Sequence, residues 1–187
     1  MKIENISFSY GEKTIFRDFS MTIPDEGITA LTGASGSGKT TLLKLIAGLI
    51  VPDKGKIIAP SPDRIAFCFQ EDRLLPGIGA GKQLEIAVPG SDSEEWLKSV
   101  GLENEMETFP EKMSGGMKRR VALARCLAYA RGRELILLDE PFTGVDPERA
   151  DKLAELVRSM KMPVLVTSHT PEALKMADRV LELQSGV

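Results

Sequence analysis

Residues 33–40 read Gly-Ala-Ser-Gly-Ser-Gly-Lys-Thr, a glycine-rich octet that closes on a lysine and a hydroxyl. Glycines at this density let successive backbone N–H groups turn inward around an anion, and a helix opening at Lys39 would add the positive pole of its dipole. The spacing satisfies G-x-x-x-x-G-K-[ST], in which the lysine reaches the β and γ phosphates of a nucleotide and the hydroxyl takes a place on Mg²⁺. Gly33, Ala34, Ser35, Gly36, Ser37, Gly38, Lys39, Thr40 and the adjoining Thr41 are therefore candidate phosphate-binding residues.

Far downstream, Leu135-Ile136-Leu137-Leu138-Asp139-Glu140-Pro141 is an apolar run that ends in two carboxylates. A buried strand of this kind delivers Asp139 to the C-terminal edge of a sheet, where ligands bind in such folds. Asp139 suits Mg²⁺ held through its water shell, and Glu140 can orient and polarise an attacking water. General-base assistance of that sort is worth about 10²–10⁴-fold. A third stretch, Met113-Ser114-Gly115-Gly116-Met117-Lys118-Arg119-Arg120, opens a long helical run. Ser114 there is a natural cap and the two glycines bare their N–H groups, so it is a second anion cradle as well as an ordinary helix start. Lys118, Arg119 and Arg120 read as a solvated basic face of that helix.

The elements that must position these groups alternate along the chain. Residues 2–10 and 14–23 are β-rich runs around a turn at Gly11-Glu12-Lys13. A short buried strand at 27–33 leads into the glycine loop, and a helix from Lys39 carries Leu42, Leu43, Ile46, Leu49 and Ile50 at helical spacing. A strand at 63–70 ends at Gln70. Residues 72–112 are rich in turns, with one short helix near 92–100. A helix from Ser114 to about Arg131 precedes the 135–139 strand, and Asp146-Pro147 caps and opens the next helix. A strand at 163–168, a helix at 170–178 and a strand at 179–183 close the chain. This order predicts an α/β fold of P-loop NTPase type: a mostly parallel sheet core with an N-terminal antiparallel β subdomain and a helical insert. Residues 1–187 form one domain in this reading. Its core is 1–71 with 132–187, and about 72–131 is a helical subdomain.

With 187 residues, 42% hydrophobic and 27% charged, the chain has the balance of an ordinary globular domain. A formal net charge of −3 argues against a broad nucleic-acid-binding face. Apolar runs fall well short of the roughly 18 residues that span a bilayer, and the start shows no signal segment, so any membrane role is expected to come through a partner. Cys68 and Cys126 lack metal-ligand spacing and read as reduced core thiols of a cytosolic protein. The lone histidine, His169, excludes a multi-histidine metal site.

The two nucleotide motifs alone fit a kinase, a GTPase or a motor. The order of the rest narrows this: Gln70, Ser114-Gly115-Gly116, Thr143-Gly144-Val145-Asp146 and Thr167-Ser168-His169. That order resembles the ATP-binding cassette (ABC) ATPases over essentially the whole chain. The resemblance implies that Tyr10 stacks on adenine, that Gln70 senses the γ-phosphate and Mg²⁺, and that His169 contacts the γ-phosphate. It makes Ser114, Gly115 and Gly116 the family signature and Asp146 a dimer-facing carboxylate. It also implies a head-to-tail pair, each copy's Ser114 cradle closing on the ATP held by the other. Where the signature pattern reads L-S-G-G-Q, Met113 and Met117 stand here, and Met117 lacks the amide.

The stretch from Phe69 to Pro76 further resembles the nitrate, sulfonate, taurine and thiamine-type importers, although Gly77 and the residues after it depart from their pattern. The implied role is the ATP-hydrolysing subunit of an importer. It would sit on the cytoplasmic face of the membrane through a permease, together with a substrate-binding protein. An exporter subunit and a soluble ABC ATPase are the alternatives. Residues 70 to about 90, with Leu74, Leu75, Ile78 and Leu84, are the expected docking surface for the permease.

Overall fold

The structure, a computed structural model, describes residues 1–184. It opens on a hairpin of β1 (Lys2–Tyr10) and β2 (Lys13–Thr22). Ile3, Ile6 and Phe8 alternate inward along β1, and Phe16 and Phe19 do so along β2. β3 (Ile28–Thr32) is buried nearly throughout and runs into the glycine loop and α1 (Lys39–Ile46). β4 (Lys54–Ile58) then adds to the free edge of β1, giving an antiparallel sheet of order β2-β1-β4.

The parallel sheet takes the remaining strands. These are β5 (Ile65–Cys68), β6 (Leu135–Asp139), β7 (Val164–Thr167) and β8 (Arg179–Glu182), in the order β5-β6-β7-β3-β8. Between β5 and β6 the chain makes α2 (Ala80–Ala87), α3 (Ser93–Ser99) and α4 (Gly115–Ala130). α5 (Pro147–Ser159) and α6 (Pro171–Met176) flank β7 in sequence. The fold is thus the mixed α/β arrangement expected.

The sheet is covered on both faces, which explains the unbroken apolar run of β6. Leu135 and Leu137 pack towards α1 and the antiparallel sheet, whereas Ile136 and Leu138 pack towards α4 and α5. Capping follows the sequence: Ser114 Oγ accepts from Met117 N, Asp146 from Arg149 N, and Thr170 from Ala173 N. Both cysteines are buried with free thiols. Contact with Cys126 holds the Cys68 thiol below its ordinary range, while the same contact and burial push Cys126 well above its own.

Several expectations are corrected. α1 stops at Ile46 because Gly48 adopts φ +67 and Leu49 N donates to Lys44 O at 3.0 Å, which leaves Leu49 exposed rather than on a helix face. β5 ends at Cys68, so Gln70 lies in the loop beyond it. α2 and β4 are additional elements. Leu84 is fully buried in the core and Leu74 packs against it, so the exposed apolar residues of this part are Leu75 and Ile86. Arg119 and Arg120 do not face solvent; they are 3% and 7% exposed. Arg120 turns back to donate to the carbonyls of Val100 at 2.8 Å and Gly101 at 2.6 Å, beyond the end of α3.

Candidate active site

The glycine loop sits at the C-terminal edge of β3, next to the end of β7. Its first glycine is fixed by tertiary contact: Gly33 has φ +142, and a β-carbon there would lie 2.4 Å from the carbonyl oxygen of Leu183. Lys39 is 8% exposed, and its Nζ donates to the carbonyls of Gly33 at 2.8 Å and Ala34 at 3.0 Å. The ammonium is therefore stored inside the loop. Ser37 Oγ is buried with no hydrogen-bond partner, an orphan group in the loop that an incoming anion would satisfy.

Register across the sheet builds the other half. Asp139 and Thr167 are direct partners of β6 and β7. Thr167 Oγ1 donates to Asp139 Oδ1 at 2.6 Å, and both residues are almost wholly buried. Asp139 has no cationic partner among the described residues. The next residue, Glu140, takes φ +48, in the left-handed region that a β-carbon disfavours. Its N–H donates to the carbonyl of Thr167 at 3.0 Å and to Thr167 Oγ1 at 3.2 Å. Glu140 Oε1 lies 3.5 Å from His169 Nε2.

One cleft of about 320 Å³ collects these groups: Tyr10, Ser35, Gly36, Gly38, Lys39, Thr40, Thr41, Gln70, Asp139, Glu140 and His169 line it. Tyr10 is 47% exposed, held edge-on by Phe8. Lys13 and Ile15 also line the cleft, and nothing in their residue types marked them. Thr167 was visible only as part of the Thr167-Ser168-His169 run; its bond to Asp139 depends on strand order.

Ser114, Gly115, Gly116 and Asp146 are not part of this cleft. Gly116 packs so closely on the 143–146 loop that a β-carbon would lie 2.7 Å from Gly144 O, whereas Gly115 faces open space. Asp146 is exposed and paired with Arg149 at 2.8 Å; the Arg149 side chain and then its N–H hold that carboxyl below the usual range. Met113 is buried and Met117 packs against the core, so both methionines act as apolar anchors for the start of α4.

The donor set fits a nucleotide with a hard divalent cation. No group of three or more His, Cys, Asp or Glu side chains forms a protein-only metal site among the described residues. A hydroxyl at Thr40 and a buried carboxylate at Asp139 leave phosphate oxygens and water to fill the shell, the usual habit of Mg²⁺.

Comparison with known proteins gives the same direction. The sequence model of the ABC transporter family matches residues 16–143. The chain is 36% identical to the aliphatic sulfonates import ATP-binding protein SsuB 1 of Paracoccus denitrificans, over 99% of this chain and 79% of that protein. It is 34% identical to the thiamine import ATP-binding protein ThiQ of a Chelativorans species, over 100% of this chain and 84% of the relative. Among solved structures, a bacterial ABC transporter cassette determined as a dimer superposes with a TM-score of 0.87 at 26% identity, covering 98% of this chain and 94% of that one. With a family match over most of its length and relatives of this identity along all of it, the chain belongs to the ABC transporter family.

Proposed function

We propose that the chain is the ATP-hydrolysing subunit of an importer, acting as a head-to-tail pair beneath a membrane permease. The observation that carries this reading is the convergence in one cleft of a lysine-tipped glycine loop, the buried Asp139 and the Glu140–His169 pair. On ATP binding, Lys39 exchanges the carbonyls of Gly33 and Ala34 for β and γ phosphate oxygens. Its charge then opposes the negative charge that builds on the transferring phosphoryl group. The loop N–H groups and the Ser37 hydroxyl hold the remaining oxygens, and Tyr10 stacks on adenine for about 1–3 kcal/mol. Glu140 orients the attacking water and takes its proton, with His169 beside it on the γ-phosphate and Gln70 placed to sense the γ-phosphate and Mg²⁺. Thr40 and Asp139, with Gln70 beside them, would hold Mg²⁺, which would supply positive charge to the phosphates.

Ser114, Gly115 and Gly116 lie outside the chain's own cleft, which supports their use on the ATP of a second copy, with Asp146 facing across the same interface. The relatives named above are import proteins, which favours an importer over an exporter. A substrate-binding protein on the far side of the membrane completes such a system. No helix among the described residues is long and apolar enough to cross a membrane. In the proposed assembly the permease attaches the chain to the cytoplasmic face.

A groove of about 350 Å³ is the proposed docking site. Phe67, Phe69, Leu75, Ile86 and Tyr129 line it, with Asp72, Arg73 and Arg125 among its polar groups. It joins the core of 1–71 and 132–187 to the helical subdomain of about 72–131.

Glu140→Gln tests the catalytic assignment. Turnover is expected to fall by about 10²–10⁴-fold with ATP still bound. A variant that hydrolysed ATP at the parent rate would sink the assignment.

A further inference from the structure

Arg119 lies near the start of α4, and its guanidinium is buried between two loops that are distant in sequence. Nη2 donates to the Asp139 carbonyl at 2.6 Å and Nε to the Pro141 carbonyl at 3.2 Å. Nη1 donates to the carbonyls of Phe69 at 2.6 Å and Gln70 at 3.2 Å, and to Asp72 Oδ1 at 3.3 Å. Four of these five acceptors are backbone oxygens. Arginine alone has a flat fork with donors on both edges that can serve two loops at once. Lysine radiates its donors from one point and glutamine has a single amide nitrogen.

The carbonyls of Asp139 and Pro141 flank Glu140. The peptide between Asp139 and Glu140 is gripped at both poles: Arg119 takes its oxygen, and Thr167 takes its N–H. That grip maintains the left-handed backbone of Glu140, a conformation that persists only where its surroundings over-determine it. The other edge of the guanidinium holds Phe69 and Gln70, and Phe69 lines the docking groove.

We infer that Arg119 is a positioning residue for ATP hydrolysis, fixing the Asp139–Glu140 peptide so that the Glu140 carboxylate meets the water, and tying that peptide to the loop at Phe69–Asp72. The inference rests on the ATPase reading given above. Arg119 touches no reacting atom in this account, so its signature is a loss of turnover without a loss of nucleotide binding.

The test is Arg119→Lys, which keeps the charge and its pairing with Asp72 but loses the fork, alongside Arg119→Met. In the purified chain, Arg119→Lys is expected to lower kcat by about 10²-fold, the scale of an ångström-level misplacement, while affinity for a fluorescent ATP analogue stays at the parent value. In a Glu140→Gln background the same substitution should lower the residual rate no further, because the group it positions has gone. Parent-level kcat in Arg119→Lys, or an equal loss with and without Glu140, would overturn the inference. Should Arg119→Met fail to fold, the lysine variant still decides. If Glu140→Gln itself kept the parent rate, the ATPase reading would fall first and this inference with it; an inactive Glu140→Gln beside a fully active Arg119→Lys would remove this inference alone.

Discussion

Replacing Thr167 by valine keeps the shape of the β7 end and removes one oxygen. In the parent, that oxygen donates to Asp139 at 2.6 Å between two almost fully buried residues. A hydrogen bond to a charged acceptor contributes about 1.5–3 kcal/mol. The Glu140 amide retains the Thr167 carbonyl at 3.0 Å, so the loss falls on the carboxylate. For a domain of this size each kcal/mol moves Tm by about 2–4 °C, which gives a drop of about 3–12 °C for Thr167→Val. Differential scanning fluorimetry measures it directly. Because the proposed role of Asp139 is to face a divalent cation, Mg²⁺ with ATP should narrow the gap between variant and parent, and ATP with a chelator should not. A variant as stable as the parent would refute the weight given to the Thr167–Asp139 bond. A gap indifferent to Mg²⁺ would refute the cation reading of Asp139.

Other substitutions separate the remaining parts of the reading. Ser114→Glu places a like charge where a second copy's phosphates are proposed to sit. It should abolish ATP-driven dimerisation in sedimentation, on a Glu140→Gln background, while leaving nucleotide binding intact; equal loss of binding in Ser114→Glu and Lys39→Ala would place Ser114 in its own chain's site. Leu75→Asp puts a charge on a side chain already 46% exposed, so fold and ATP binding should persist while co-purification with the permease is lost. Normal co-purification would move the docking surface elsewhere.

The phosphate loop and the Asp139–Glu140 pair were legible because the groups they need are contiguous: local sequence places donors, lysine and carboxylates without help from the fold. The caps at Ser114 and Asp146 were legible for the same reason. β4 was hidden because its lysines and Gly55 suit no strand pattern; it forms because β1 has an open edge, and Gly55 fits where a β-carbon would meet Asn5 O at 2.4 Å. α2 is flanked by Gly79 at its cap and carries Gly81 in its first turn, and glycine is a weak helix former, yet Gly81 is what lets Met106 pack within 2.5 Å of where a β-carbon would stand. Arg119 and Thr167 were the costlier gaps. A basic residue on a helix ordinarily faces water, and only tertiary structure brings the acceptors of Phe69 and Asp139 to one guanidinium.

These positions give α4 a particular mechanical standing. The helix has 16 residues, so it spans about 24 Å at 1.5 Å per residue. Its first end is the Ser114 cap, proposed to face a second copy's ATP. Its fifth residue, Arg119, holds the peptide that leads into Glu140, the proposed hydrolytic carboxylate. Further along, Arg125 donates to the carbonyls of Asp72 at 2.8 Å and Arg73 at 2.9 Å, in the wall of the proposed docking groove. A close-packed helix does not stretch to absorb a displacement at one end, so a shift imposed on Ser114 must reach both loops. Closure of the pair, hydrolysis and permease movement then need no longer route than one rigid element. The same rigidity works in reverse, so a partner in the proposed docking groove should alter how readily Ser114 makes its proposed contact with a second copy's ATP.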